Sequence, residues 1–112
     1  MDKNVKVSIL LDLYGKLLTE KQFELLDDYY NNDLSLSEIG ENNKITRQAV
    51  RDNLKKGENN LLEYEEKLGL MKKTLAQEKV IEEIITKIDN IKDNTEALKL
   101  VKEIKKTLKT LN

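Results

Sequence analysis

The sequence predicts an all-α protein on three observations. Its 112 residues contain no proline and only four glycines, so few positions interrupt a helix. Apolar residues, mostly Leu and Ile, recur at spacings of three and four, which is the period of a helical face. No segment alternates apolar and polar residues as a half-buried strand does. We therefore expect helices throughout, in one modest domain with a helical extension.

The first two helices are predicted from an apolar stripe and a start signal. The first helix should run from about Asn4 to Leu18, and its stripe consists of Val7, Leu10, Leu11, Tyr14, Leu17 and Leu18. Thr19 and Gln22 have the spacing of a capping box and begin the second helix. The buried face of that helix should be Phe23, Leu26 and Tyr30. For the pair Tyr29 and Tyr30 we expect one buried and one half-exposed ring, and a stacking surface for single-stranded RNA is the alternative.

Two further helices follow in quick succession. Ser35 and Glu38 form a second capping box, which opens a short third helix over about Leu36 to Glu41. After a turn of three residues, Thr46 is the predicted N-cap of a fourth helix. The apolar positions of this helix continue well past the length of an ordinary domain helix: Val50, Leu54, Leu61 and Leu68. Gly57 lies in the same stripe and either permits close helix contact or weakens the helix.

The tail has the repeat of a coiled coil and predicts a helical hairpin. Its stripe has spacings of three and four and comprises Ile81, Ile84, Ile88, Ile91, Ala97, Val101, Ile104, Leu108 and Leu111. Asp93, Asn94, Thr95 and Glu96 form a start box that separates two helices. We therefore expect a domain over residues 1–70 and an extension over residues 71–112.

The apolar stripe of the extension needs a second surface to cover it. A homodimer is favoured, because a domain this small gains much from additional buried area. The alternative is a monomer whose tail folds back on the fourth helix through Leu61, Leu68 and Leu75.

The composition argues against an enzyme. Cysteine and histidine are both absent, which excludes disulfides, thiol catalysis, and metal sites built from thiolates or imidazoles. Adjacent carboxylates such as Glu65 and Glu66 point about a quarter turn apart on a helix and do not converge. We expect no catalytic residue, metal or cofactor. With no signal sequence and no run of about 18 apolar residues, we expect a cytoplasmic protein without a membrane span.

Basic charge is concentrated at the start of the fourth helix. Residues 44–57 contain five basic residues and one acidic residue, whereas residues 19–43 contain one basic and seven acidic residues. Arg47, Arg51 and Lys55 are spaced four apart on one helical face. Such a strip is often only a solvated surface. Here it follows a short helix and a tight turn, the arrangement that places a second helix in the major groove of DNA. The acidic stretch would repel a duplex from the wrong face.

The residues around this turn resemble known helix-turn-helix motifs. Leu36-Ser37-Glu38-Ile39-Gly40 and Ile45-Thr46-Arg47-Gln48-Ala49-Val50 are similar to region 4 of bacterial sigma factors. Residues 46–56 and 61–68, with residues 10–22, more closely resemble the YlxM family of small helix-turn-helix proteins. This resemblance covers about residues 5–70. The resemblance to sigma factor region 4 implies that Gly40 lets the two helices approach and that Ile45 and Val50 fill the core between them.

Two positions depart from the general helix-turn-helix pattern. Lys44 stands in the turn where glycine is usual, and Asn53 stands where an apolar residue is common. We expect Leu54 to take over the packing role of the latter position.

The resemblance also implies a nucleic-acid site. Arg47, Gln48 and Arg51 would face the bases, because Arg pairs with guanine and Gln with adenine. The residues nearer the phosphates would be Ser35, Lys44, Thr46, Lys55 and Lys56. Thr46 is expected to cap its helix in any case, and a solvated side chain is the alternative for Gln48.

The function that the resemblance implies is regulatory DNA binding, with duplex DNA as the partner. The YlxM family is usually encoded beside the GTPase of the signal recognition particle. The alternative is therefore an accessory protein that binds the RNA or the GTPase of that particle.

Overall fold

The computed structural model describes residues 1–90 and 95–110, and all regular structure in these residues is helical. The helices are α1 (Lys3–Tyr14), a 3-10 turn (Gly15–Leu17), α2 (Glu20–Tyr30), α3 (Leu36–Asn43), α4 (Arg47–Leu68), α5 (Leu70–Asp89) and α6 (Thr95–Lys109). The all-α prediction is confirmed. The chain divides into two compact units, Met1–Met71 and Lys72–Asn112.

Helices α1 to α4 enclose the core of the first unit. Its buried members come from every one of these helices and from the residue after the 3-10 turn: Val7, Leu10, Leu11, Tyr14, Leu18, Leu25, Leu26, Ile39, Val50, Leu54 and Leu61. Most of the predicted stripes of the first and fourth helices are therefore buried.

Two residues of the predicted stripes of the first and fourth helices are exposed. Leu17 is 54% exposed, because α1 ends at Tyr14 and the following 3-10 turn changes the rotation per residue. Leu68 is 57% exposed and lies at the end of α4. With 22 residues, α4 is twice as long as the 11-residue α2. The sequence stripe shows which face of α4 is apolar but not how far its partners extend.

The face that α2 buries differs from the predicted one. Leu25 and Leu26 are buried, whereas Phe23 is 38% exposed. The Phe23 ring lies over Gly15, where an added Cβ would come within 2.8 Å of ring carbon Cδ2. Tyr30 packs against the core. Thr19 is the N-cap of α2 as predicted, because its side chain accepts a hydrogen bond from the Gln22 N–H.

Close contact between α2 and α4 depends on Gly57. This glycine is buried in α4, and a Cβ there would come within 2.8 Å of Leu26 Cδ1. Of the two roles considered for Gly57, close helix contact is the one the structure shows. Leu54 is buried and Asn53 is exposed, so Leu54 takes the packing role as expected.

The second unit contains most of α5 and all of α6, which confirms the predicted pair of tail helices. Within it Val101 is buried, and Lys105 forms an ion pair with Asp89. Ile84 and Ile104 are 39% and 40% exposed, against the prediction that both lie in the buried seam. On α5, Ile81 and Ile88 of the predicted seam are half-buried, and so is Ile85, which the prediction did not include. The predicted seam positions Ile91 and Leu111, and Asp93 and Asn94 of the start box, lie outside the described residues.

Candidate nucleic-acid interface

A three-residue turn joins α3 to α4 and carries a lysine in a left-handed conformation. α3 continues to Asn43, two residues beyond its predicted end, and Lys44 has φ 57° and ψ 40°. The Lys44 N–H donates to backbone carbonyls at the end of α3, and the Ile45 N–H donates to the Gly40 carbonyl at 2.9 Å. The left-handed region costs a residue with a side chain roughly 1–2 kcal/mol. The turn is therefore built without the glycine that usually relieves this strain.

Gly40 allows the turn to fold back onto α3. A Cβ at this position would lie 2.8 Å from the carbonyl oxygen of Ile45, a backbone atom that cannot move aside freely. Ile45 packs against the core, and Val50 is fully buried in it. The roles that the resemblance implied for these three residues agree with the structure.

Both hydroxyl residues of the predicted site act as helix caps. Ser35 Oγ accepts from the Glu38 N–H at 3.1 Å, and Glu38 Oε1 accepts from the Ser35 N–H at 3.0 Å. The hydrogen bond that the carboxylate accepts from the Ser35 N–H, together with the Ser35 side chain, lowers the pKa of Glu38 below its ordinary value of 4.5. Thr46 Oγ1 accepts from the Ala49 N–H at 3.0 Å. A hydroxyl that accepts in this way still has its own proton to donate.

The structure brings the three predicted base-facing residues together. Arg47, Gln48 and Arg51 are exposed on α4. With Leu36, the first residue of α3, they line a shallow depression of about 320 Å³. The first turns of both helices of the motif thus share one surface, which we call the α3–α4 face.

The lysines of the predicted site are less closely grouped. Lys44 is exposed in the turn at the α4 N-terminus, and Lys55 and Lys56 are exposed two turns along α4. Lys55 lines a separate groove together with Arg51. Since successive helical residues point about a quarter turn apart, Lys55 and Lys56 face different directions.

Asp52, which was not predicted from the sequence, contacts a residue of the α3–α4 face. Its Oδ1 accepts a hydrogen bond from Gln48 Nε2 at 2.9 Å. The spacing of four residues on a helix could have revealed this pair. Gln48 is therefore neither a freely solvated side chain nor already free to contact a base.

The sequence analysis also missed a second basic surface. A groove of about 500 Å³ lies between α1 and α4, and Lys3, Lys6, Arg51 and Lys55 contribute to its lining. The spacing of three between Lys3 and Lys6 was visible in the sequence. Their proximity to α4 was not.

Within residues 1–90 and 95–110, no three acidic side chains lie close enough to hold a metal ion. None of the helices in the same residues is long and apolar enough to cross a lipid bilayer.

A short helix, a tight turn over a buried glycine and a second helix whose exposed N-terminal part is basic define a helix-turn-helix protein. The chain belongs to the UPF0122 family, described as "Putative helix-turn-helix protein, YlxM / p13 like", whose sequence pattern matches residues 1–110. The resemblance to YlxM proteins seen in the motifs is confirmed.

Several bacterial relatives named UPF0122 protein are similar over most of their length. The relative from Acetivibrio thermocellus is 52% identical over 91 residues, which cover 81% of this chain and 78% of the relative. The relative from Clostridium kluyveri is 46% identical over 104 residues, or 91% of this chain and 94% of the relative. One from Clostridium botulinum is 49% identical over 81 residues, or 72% and 74% of the two chains.

Proposed function

We propose that this chain is a cytoplasmic regulatory protein that binds duplex DNA, with α4 as the recognition helix. The observation that carries the proposal is the grouping of Arg47, Gln48 and Arg51, exposed together beside the first turn of α3. In a helix-turn-helix, the N-terminal residues of the second helix reach the base edges in the major groove.

Each side chain of the α3–α4 face has a chemical role in this proposal. Arg47 and Arg51 donate paired hydrogen bonds to O6 and N7 of guanine. Gln48 contacts adenine after it exchanges its hydrogen bond with Asp52 for one to the base. Phosphate contacts come from the remaining predicted residues, Ser35, Lys44, Thr46, Lys55 and Lys56.

The test compares duplex binding by arginine variants over a range of salt concentrations. A preferred site is first selected from random duplexes, and affinity is then measured by fluorescence anisotropy. Arg47→Ala and Arg51→Ala should each cost about 1–3 kcal/mol at the preferred site if they read bases. Any phosphate contact that is lost makes the negative slope of log K against log salt shallower by about 0.9.

Lys67→Ala is the matched control, because Lys67 is an exposed cation at the opposite end of α4. It should leave the affinity unchanged. Unchanged binding by a folded Arg47→Ala, Arg51→Ala double variant would contradict the proposal.

The same assay separates DNA binding from the role in the signal recognition particle pathway. A-form RNA hides its deep groove from a helix, so RNA would be bound through shape and phosphates. The RNA of that particle should compete weakly with the preferred duplex, and its GTPase should not be retained by the immobilised chain. Strong competition by the RNA, or retention of the GTPase, would favour the accessory role.

We also propose that the chain is a homodimer through α5 and α6. Their exposed apolar side chains include Val80, Ile84, Leu98, Leu100 and Ile104, and a second copy would remove them from water. A two-fold dimer would present two recognition helices to two half-sites. Light scattering of the full chain should report a dimer, and the double variant Leu100→Glu, Ile104→Glu should be a monomer. A monomeric unmodified chain at tens of micromolar would exclude this assembly.

A further inference from the structure

We propose that the groove between α1 and α4 binds an acidic peptide segment with apolar anchor side chains. This α1–α4 groove adjoins the α3–α4 face and shares Leu36 and Arg51 with it, but the proposal does not depend on DNA binding. It rests on three properties of the groove: its apolar floor, its basic rim and its ordered aromatic side.

The floor of the groove exposes apolar surface of the kind that a protein partner covers. Leu62 is 45% exposed and Tyr29 is 36% exposed, and both line the groove. Its volume of about 500 Å³ lies within the usual range of ligand pockets. Apolar side chains that enter the groove would remove this surface from water.

The rim of the groove carries an excess of positive charge. Lys3 and Lys6 come from α1, and Arg51 and Lys55 come from α4. The carboxylate among the lining residues is Glu58, which accepts a hydrogen bond from the Tyr30 hydroxyl and lies 3.7 Å from Lys3 Nζ. Among the described residues, no carboxylate forms an ion pair with Lys6, Arg51 or Lys55.

Two contacts order the aromatic side of the groove. The Tyr29 ring stands edge-on to the Tyr30 ring at 5.0 Å between centroids. Tyr30 is in turn held by its hydrogen bond to Glu58 on α4. A site that is already ordered loses less conformational entropy on binding.

Charge and apolarity together favour a peptide over a nucleic acid. A DNA duplex presents its phosphates on a convex surface and would not reach an apolar floor. A single strand could stack a base on Tyr29, but the aliphatic Leu62 beside it offers no stacking partner. A peptide satisfies both surfaces, because Leu or Phe side chains fill the floor and Asp or Glu side chains meet the Lys and Arg of the rim.

The experiment measures binding of designed labelled peptides to the full chain by fluorescence anisotropy. The probe is an amphipathic helical peptide with Leu at every third or fourth position and Glu elsewhere. One control peptide has Gln in place of Glu, and the other has Ser in place of Leu. We expect the Glu/Leu probe to bind at least about tenfold more tightly than either control.

Matched protein variants locate the site. Lys6→Glu and Leu62→Ser should each weaken binding of the probe by about tenfold or more. Lys56→Glu and Leu68→Ser are the controls, because both residues are exposed on α4 and do not line the groove. Circular dichroism melts check that all four variants fold. Equal binding by the Glu and Gln peptides, or equal losses in the groove and control variants, would overturn the proposal.

Two other ligands of the groove, single-stranded RNA and a second copy of the chain, would give different results. If oligouridine binds more tightly than the Glu/Leu probe, and Lys6→Glu weakens its binding, the partner of the groove is single-stranded RNA and not a peptide. An oligomer that Leu62→Ser converts to a monomer would show that a second copy fills the groove. Either result overturns the proposal. Because the peptide assay contains no DNA, its result remains valid even if the chain does not bind duplex DNA.

Discussion

The hydroxyl of Tyr14 donates to Glu65 Oε1 at 2.7 Å and accepts from the Leu70 N–H at 3.0 Å. The same Glu65 oxygen accepts from the Met71 N–H at 2.8 Å. The first N–H groups of a helix have no partner within that helix, so a side chain from α1 and one from α4 together cap the start of α5. Gly69, with φ 64°, ends α4 just before this point. The turn at residues 68–71 is therefore tied to the core of the first unit.

Removing the Tyr14 hydroxyl should destabilise the first unit. The side chain is 1% exposed, and burial, with the hydrogen bond to Glu65, raises the pKa of Tyr14 above 10.0 and keeps its proton in place. Tyr14→Phe leaves the Leu70 N–H without this acceptor and should cost about 1–3 kcal/mol in urea denaturation. Tyr29→Phe is the control and should change stability little. A Tyr14→Phe variant as stable as the unmodified chain would show that water replaces the hydroxyl.

Adding a methyl group at Gly40 should strain the helix-turn-helix. The new Cβ would approach the Ile45 carbonyl oxygen to 2.8 Å, so the turn must move. We expect Gly40→Ala to reduce the free energy of unfolding by about 1–3 kcal/mol. Gly15→Ala is the matched control, because the atoms that it meets belong to the partly exposed Phe23 ring and can shift. Similar effects of both substitutions would contradict this explanation.

Glycine at position 44 should stabilise the turn and weaken DNA binding. Lys44→Gly relieves the left-handed strain and should add about 0.5–1 kcal/mol to the free energy of unfolding. Lys44→Ala keeps the strain and should add nothing. If Lys44 contacts a phosphate, both variants should make the negative slope of log K against log salt for duplex binding shallower by about 0.9. A gain in stability with Lys44→Ala would show that charge, not backbone strain, is responsible.

Neutralising Asp52 should strengthen duplex binding. Asp52→Asn removes the acidic charge beside Arg51 but retains an acceptor for Gln48, and it should raise affinity at low salt by roughly two- to fivefold. Asp52→Ala also releases Gln48, so a further change in sequence preference should appear only in that variant. Glu66→Gln, near the other end of α4, is the control. Unchanged affinity after Asp52→Asn would show that the surface of α4 around Asp52 does not face the DNA.

The capping box of α3 should make stability depend on pH on the acid side. The hydrogen bonds to Ser35 hold the pKa of Glu38 below 4.5, so the folded state favours the charged carboxylate. This contribution is fully present above the unfolded pKa and is lost as pH falls through the folded pKa. The loss of stability on acidification below about pH 4.5 should be smaller in Glu38→Gln than in the unmodified chain. Identical acid profiles would show that the box does not contribute.

The sequence itself determines where α2, α3 and α4 begin. The hydrogen bonds of Thr19, Ser35 and Thr46 join residues three positions apart, so residue type and spacing suffice to predict them. The apolar period likewise identifies the buried faces of α1 and α4. The same local rule would have paired Gln48 with Asp52.

Tertiary structure decided what lies opposite each face. The period predicts that Leu68 is on the apolar side of α4, but Leu68 is 57% exposed, and Met71, beyond the turn at Gly69, packs against the core instead. It also predicts Phe23 for the core of α2, whereas packing selects Leu25. The α1–α4 groove brings together Lys6 and Lys55, which are far apart in the sequence. The spacing of residues along one helix cannot predict this contact, because the contact depends on how two helices pack together.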